Sequence, residues 1–105
     1  MKEVTVSELK KMMDEKTDFQ LVDVRETHEH EMANIGGDLI PLGTIVDEAD
    51  RLDRNKPVIV YCRSGARSAA AVRELESRFG FSNLANLKGG ILAWSKEIDP
   101  HIQIY

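Results

Sequence analysis

Hydrophobic residues fall in short strand-like runs separated by helical patterns. Near the N-terminus, "VTVSELKKMMDE" passes from a β-branched stretch into a helix with Leu9, Met12 and Met13 on one side. Thr5 and Glu8 ahead of it have capping-box spacing. "FQLVDV" (19–24) is a short apolar run of strand formers. The polar "ETHEHEMA" is compatible with a helix, and "GGDLIPL" (36–42) reads as a glycine turn leading into a brief strand. "TIVDEADRL" (44–52) predicts a helix with Ile45, Ala49 and Leu52 on one face. After the break at "NKP" comes "VIVYC" (58–62), apolar throughout, as a central parallel strand covered on both faces should be. "ARSAAAVRELESRFG" (66–80) is the strongest helix. Ala71, Val72, Leu75 and Phe79 recur at helical spacing, and Gly80 stands where a C-terminal cap belongs. "SNLANL" (82–87) is a weak last strand and "GGILAWSKEI" a final helix. Strands alternating with helices predict an α/β domain with a mainly parallel sheet and right-handed crossovers.

Composition narrows this picture. The 105 residues suit one small domain, 1–105. At 42% hydrophobic and 30% charged, the chain is expected to fold and stay soluble. A net charge of -4 without a basic stripe argues against nucleic acid as a partner. No apolar run approaches the ~20 residues of a membrane span, and no secretory h-region is visible. A single cysteine excludes an intramolecular disulfide and suits a reducing compartment, so a cytoplasmic location is expected.

That cysteine, Cys62, is the candidate nucleophile. It ends the central strand, at the sheet edge where open parallel sheets bind ligands. The residues that follow, Arg63, Ser64, Gly65, Ala66 and Arg67, lead into a helix N-terminus. Backbone N–H groups in such a loop converge on an anion, and the helix dipole and two arginines add positive charge. All of these favour thiolate. Gly65 permits an unusual turn. The alternative, a cysteine buried as a small apolar residue, fits this setting less well. Arg67 at a helix N-terminus opposes the dipole, which points to an anion beside it.

Such a cradle serves phosphate monoester hydrolysis or sulfur transfer. Tyrosine phosphatases place five residues between Cys and Arg. "CRSGAR" has four, a tighter loop that suits a sulfane sulfur better than a tetrahedral phosphate. Arsenate reduction through an intramolecular disulfide lacks its second cysteine. A non-catalytic binding or regulatory module is the remaining alternative.

"CRSGARS" after "PVIVY" resembles the active-site loop of the rhodanese family of sulfurtransferases. "LVDVRETHEHEMANIGG" and "NLKGGILAW" resemble two further family motifs, in family order. The tail and "IGGDLIPLG" look most similar to rhodanese domains fused to ubiquitin-like-protein-activating enzymes. The resemblance implies a five-stranded parallel sheet flanked by helices. It implies that Cys62 attacks the outer sulfur of thiosulfate or a similar anionic donor, carries a persulfide, and passes the sulfur to cyanide, a thiol or a protein. N–H groups of residues 63–67 would stabilise the persulfide, Arg63 and Arg67 would hold the donor, and no metal or organic cofactor is implied. Departures cluster in one turn: Asn34 replaces a frequent His, Gly36 a Pro, and Asp38 an Ala.

Other polar residues carry weaker signals. Asp23 and Arg25 end the second strand, either as a charged wall near the site or as structural groups, for example Arg25 paired with Glu29. His28 and His30, two apart, point to different faces and are expected to be solvated. Trp94, Ile91 and Leu92 are expected in the core, with Gly89 and Gly90 allowing a close turn beside the loop.

Overall fold

The computed structural model describes residues 1–104. Its elements alternate as the hydrophobic pattern requires: β1 (Glu3–Val4), α1 (Val6–Asp14), β2 (Gln20–Asp23), α2 (Thr27–Met32), β3 (Asp38–Leu39), β4 (Val58–Tyr61), α3 (Ala66–Phe79), β5 (Leu84–Leu87) and α4 (Gly90–Glu97). The sheet runs in the order β1-β5-β4-β2-β3, and every pairing is parallel. β4 is the central strand, with all four residues buried.

Alternation along β4 divides the core. Val58 and Val60 join Val22, Val72, Leu75 and Leu84 on the face covered by α3. Ile59 and Tyr61 join Leu9, Leu87, Ile91 and Trp94 on the face covered by α1 and α4. Side chains on a strand point alternately to either side, so a doubly covered strand is apolar at every position. Cys62 continues the alternation onto the α3 face.

Local signals set the helix ends. Thr5 Oγ1 accepts from the Glu8 N–H at 3.1 Å, and the Thr5 N–H donates to Glu8 Oε1 at 2.9 Å. This is the reciprocal cap predicted for α1. Gly80, at φ 68°, ends α3 in the left-handed conformation.

Two expectations are corrected. Residues 44–52 do not form an α-helix. They form consecutive turns and one turn of 3-10 helix at Ala49–Arg51. Ile45 and Leu52 are nevertheless buried, so the apolar spacing identified the right inward face. Short turns bring those side chains inward without a continuous hydrogen-bond ladder. Phe79 does not complete the buried face of α3; it is exposed, and Phe81 beyond the cap fills the core instead.

The departing turn is rebuilt around glycine. Gly36 has φ 91°, which the fixed ring of proline excludes. Asn34 Oδ1 accepts from the Gly36 N–H at 2.8 Å, and the Tyr61 hydroxyl donates to the Gly36 carbonyl at 2.9 Å. Asp38 accepts from Gln20 Nε2 at 3.0 Å, on the edge strand β3.

Candidate active site

Cys62 follows the last residue of β4, and the backbone turns at once into α3. Gly65 makes this possible at φ 105°, as the residue before the helix. The turn folds the loop over the sulfur. The Gly65 N–H donates to Cys62 Sγ at 3.1 Å, and the Ser68 N–H and hydroxyl each lie 3.4 Å from it. Burial pushes the thiol pKa up. The Ser68 hydroxyl and the N–H groups of Ser68, Gly65 and Ser64 outweigh that and hold it below its ordinary value.

The loop carbonyls face the other way. Those of Cys62 and Arg63 accept from the N–H groups of Ile91 and Leu92, at 3.0 and 3.1 Å, in the first turn of α4. A helix N-terminus leaves such donors unpaired within itself, so α4 holds the back of the loop while the loop N–H groups face the sulfur. Gly90 must be small here: a Cβ on it would lie 2.5 Å from the Cys62 carbonyl oxygen, and its φ is 59°. The close turn expected from Gly89 and Gly90 is therefore present. Ile91 and Trp94 are core residues, whereas Leu92 is half-buried.

The charged residues have definite partners. Arg67 meets an anion, but one supplied by the chain itself. Its Nη1 and Nη2 lie 2.6 and 2.8 Å from Oε1 and Oε2 of Glu29, a two-pronged pair tying the start of α3 to α2. Arg63 and Ser64 stand toward solvent, half-exposed and exposed, and so does Ala66.

Asp23 and Arg25 are both fully buried. Arg25 grips Asp23 through Nε to Oδ1 at 2.9 Å and Nη2 to Oδ2 at 2.8 Å, and Nη2 reaches the Ala33 carbonyl at 2.7 Å. Burial alone would raise the Asp23 pKa; hydrogen bonds from Arg25 and His30 reverse this and hold it low. His28 is solvated as expected. His30 is not: its Nδ1 lies 2.8 Å from Asp23 Oδ2, because the short α2 turns it inward.

Two residues at the sulfur escaped the sequence reading. Ser68 and Asn86 are buried and joined by a hydrogen bond from the Ser68 hydroxyl to Asn86 Oδ1. Asn86 Nδ2 also donates to the Gly65 carbonyl at 3.2 Å, bracing the loop. Both left a signal. Ser68 is polar on the helix side shared by Ala71, Val72 and Leu75, and Asn86 interrupts an apolar strand. Buried polar groups at such positions require partners.

This construction matches a known family: the model for the rhodanese-like domain matches residues 5–97. The chain belongs to the rhodanese-like family. A rhodanese-like domain protein from Staphylococcus aureus has 34% sequence identity and a TM-score of 0.83, covering 100% of this chain and 99% of that one. A probable adenylyltransferase/sulfurtransferase MoeZ of Mycobacterium tuberculosis is 33% identical over 97% of this chain, but the match spans only 26% of that protein. A putative sulfur carrier protein YrkF of Bacillus subtilis is 33% identical over 89% of this chain and 50% of its own length. Sulfurtransferase relatives thus attach a sulfur-transfer role to the family of this rhodanese-like domain. Among the described residues, no helix is long and apolar enough to cross a membrane.

One open cavity lies away from Cys62. A space of about 520 Å³ lined by Gln20, Asp38, Arg51, Asp53 and Lys56 opens at the starts of β2 and β3. Cys62 follows the end of β4, at the opposite edge of the parallel sheet, where ligands of such sheets bind.

Proposed function

We propose that this rhodanese-like domain, residues 1–105, is a sulfurtransferase that carries sulfur on Cys62. The observation that supports it most is the sulfur's setting. Cys62 Sγ is buried, yet three donors from Gly65 and Ser68 favour its charged form. A cysteine serving only as core packing gains nothing from such donors.

In the first step, the thiolate attacks the outer sulfur of a donor such as thiosulfate or a persulfide. The donor's S–S bond breaks, and its electron pair leaves with sulfite or a thiolate. Cys62 then carries a persulfide anion, cradled by N–H groups of Ser64, Gly65 and Ala66. In the second step, cyanide, a thiol or a protein acceptor attacks the terminal sulfur, and the Cys62 thiolate returns. Arg63 at the mouth meets the donor, and Arg67 braces the loop through Glu29. Asp23 and Arg25 support the site by anchoring the segment that leads into α2. The cycle as written uses no metal or organic cofactor. A thiol that cycles in this way suits the cytoplasm.

Thiocyanate release from thiosulfate and cyanide tests the reading. Wild type should turn over, while Cys62→Ser should fall to background with its fold intact. Equal rates in the two proteins would overturn the assignment to Cys62. A wild type inert with every sulfane donor would return the binding-module alternative.

A further inference from the structure

The Ser68 hydroxyl lies between two acceptors, and the surrounding fold fixes one of them in place. The Asn86 amide is held in a single orientation. Its Nδ2 donates to the Gly65 carbonyl at 3.2 Å and to Glu3 Oε2, on β1, at 3.3 Å. A carbonyl and a carboxylate only accept, so the amide oxygen must face the other way, toward Ser68. There Oδ1 accepts from the Ser68 hydroxyl, whose oxygen lies 3.4 Å from Cys62 Sγ. Ser68 and Asn86 are both buried, where a polar atom left without a partner is costly. The hydroxyl has one proton to give. When Cys62 ionises, Ser68 turns that proton to the sulfur and leaves Asn86 Oδ1 unpaired. Once sulfur has been transferred, the negative charge sits on the terminal sulfur, against the loop N–H groups. Sγ is then neutral, and the proton returns to Asn86. Asn86 therefore disfavours the free thiolate but not the loaded form.

We propose that Asn86 is a positioning residue that draws the Ser68 proton away from the sulfur and thereby makes Cys62 hold transferred sulfur more tightly. This deepens the sulfur-transfer reading of Cys62 and rests on it. The exchange that measures it balances: Cys62 thiolate plus thiosulfate gives the Cys62 persulfide anion plus sulfite. The bond between the two donor sulfurs breaks, sulfite keeps the electron pair, and no proton moves. Glu3 on β1, the Asp23–Arg25 pair at the end of β2, Glu29 on α2, Arg63 and Arg67 at the loop and Lys88 after β5 carry the charges of the elements around the sulfur. They stay as they are in every variant below, so the comparison isolates the Ser68 proton.

Asn86→Leu, alone and combined with Ser68→Ala, tests this by the iodoacetamide midpoint of Cys62 and by the loaded fraction at fixed thiosulfate-to-sulfite ratios, read by intact mass. Asn86→Leu should lower the midpoint by about half a pH unit and weaken sulfur loading about threefold, the worth of one neutral hydrogen bond. A side chain that only braces the loop gives the opposite sign, because a slack loop withdraws the Gly65 N–H from the sulfur and raises the midpoint. In the Ser68→Ala background, Asn86→Leu should no longer lower the midpoint or weaken loading, since no hydroxyl proton remains to be shared. A raised midpoint in Asn86→Leu, an unchanged loading equilibrium, or the same effects with and without Ser68 would overturn the inference and leave sulfur transfer intact. A folded wild type that takes up no sulfur would overturn both. Wild type supplies a further readout that needs no folded variant. The carbon resonance of the Asn86 side-chain carbonyl should titrate with Cys62 and return to its thiol-state position once sulfur is loaded. A resonance indifferent to Cys62 ionisation would overturn the inference.

Discussion

At Cys62, a handful of hydrogen bonds decide between an inert apolar residue and a nucleophile. The Ser68 hydroxyl faces two acceptors, the sulfur and Asn86 Oδ1. A hydroxyl has one proton, so it can turn to the sulfur when the thiol ionises. Because the native thiol pKa is lowered, alkylation by iodoacetamide should show a midpoint below the ordinary thiol value of about 8.5. Ser68→Ala should move that midpoint upward and slow alkylation at pH 7 by about tenfold, the worth of one hydrogen bond to a charged group. An unmoved midpoint would show that the backbone donors suffice. The nucleophile and its loop were legible in "CRSGARS", because residue type and order carry that chemistry. Ser68 and Asn86 were not read, because their partners lie 18 residues apart in sequence and meet only through the packing of α3 on β5.

Among the elements, three pieces of backbone converge on one loop. β4 delivers Cys62, α4 holds the loop from behind, and α2 holds it from the side through Glu29. Gly90→Ala should therefore cost about 3 kcal/mol in urea unfolding, combining a left-handed backbone with a side chain forced into the Cys62 carbonyl. It should also slow sulfur loading. Asp23→Asn should cost about 3–5 kcal/mol, since it removes a buried carboxylate that Arg25 grips in the core. The pH dependence follows from the direction of the Asp23 shift. A native pKa held below the unfolded value of about 3.9 stabilises the fold above that pH, and the contribution is lost as pH falls through the native value. The gap between wild type and variant should be full at neutral pH and close only in strong acid. Helices with complete signals, such as α1 with its Thr5 and Glu8 box, were predictable from sequence. Residues 44–52 were not, because their inward spacing of Ile45, Ala49 and Leu52 is equally served by successive turns.

Over the whole molecule, a doubly covered parallel sheet separates stability from chemistry. The core lies on both faces of β4, while the reactive loop sits beyond its end. Ile59→Ala, on the face away from α3, should cost about 2–5 kcal/mol and leave the alkylation midpoint of Cys62 where it was. A moved midpoint would show that core packing and thiolate stabilisation are coupled. Fold class was readable from the alternation of strands and helices, but the strand order was not. It depends on which crossover returns to which edge, and here β5 and then β1 complete one side while β2 and β3 complete the other.

The central claim is that Cys62 itself carries the sulfur. Intact mass of the reduced protein after exposure to a sulfane donor, beside Cys62→Ser, tests it most directly. Wild type alone should gain the mass of one sulfur atom and lose it again on addition of cyanide. A gain that persists in Cys62→Ser, or a folded wild type that gains nothing from thiosulfate, methanethiosulfonate or glutathione persulfide, would contradict the account.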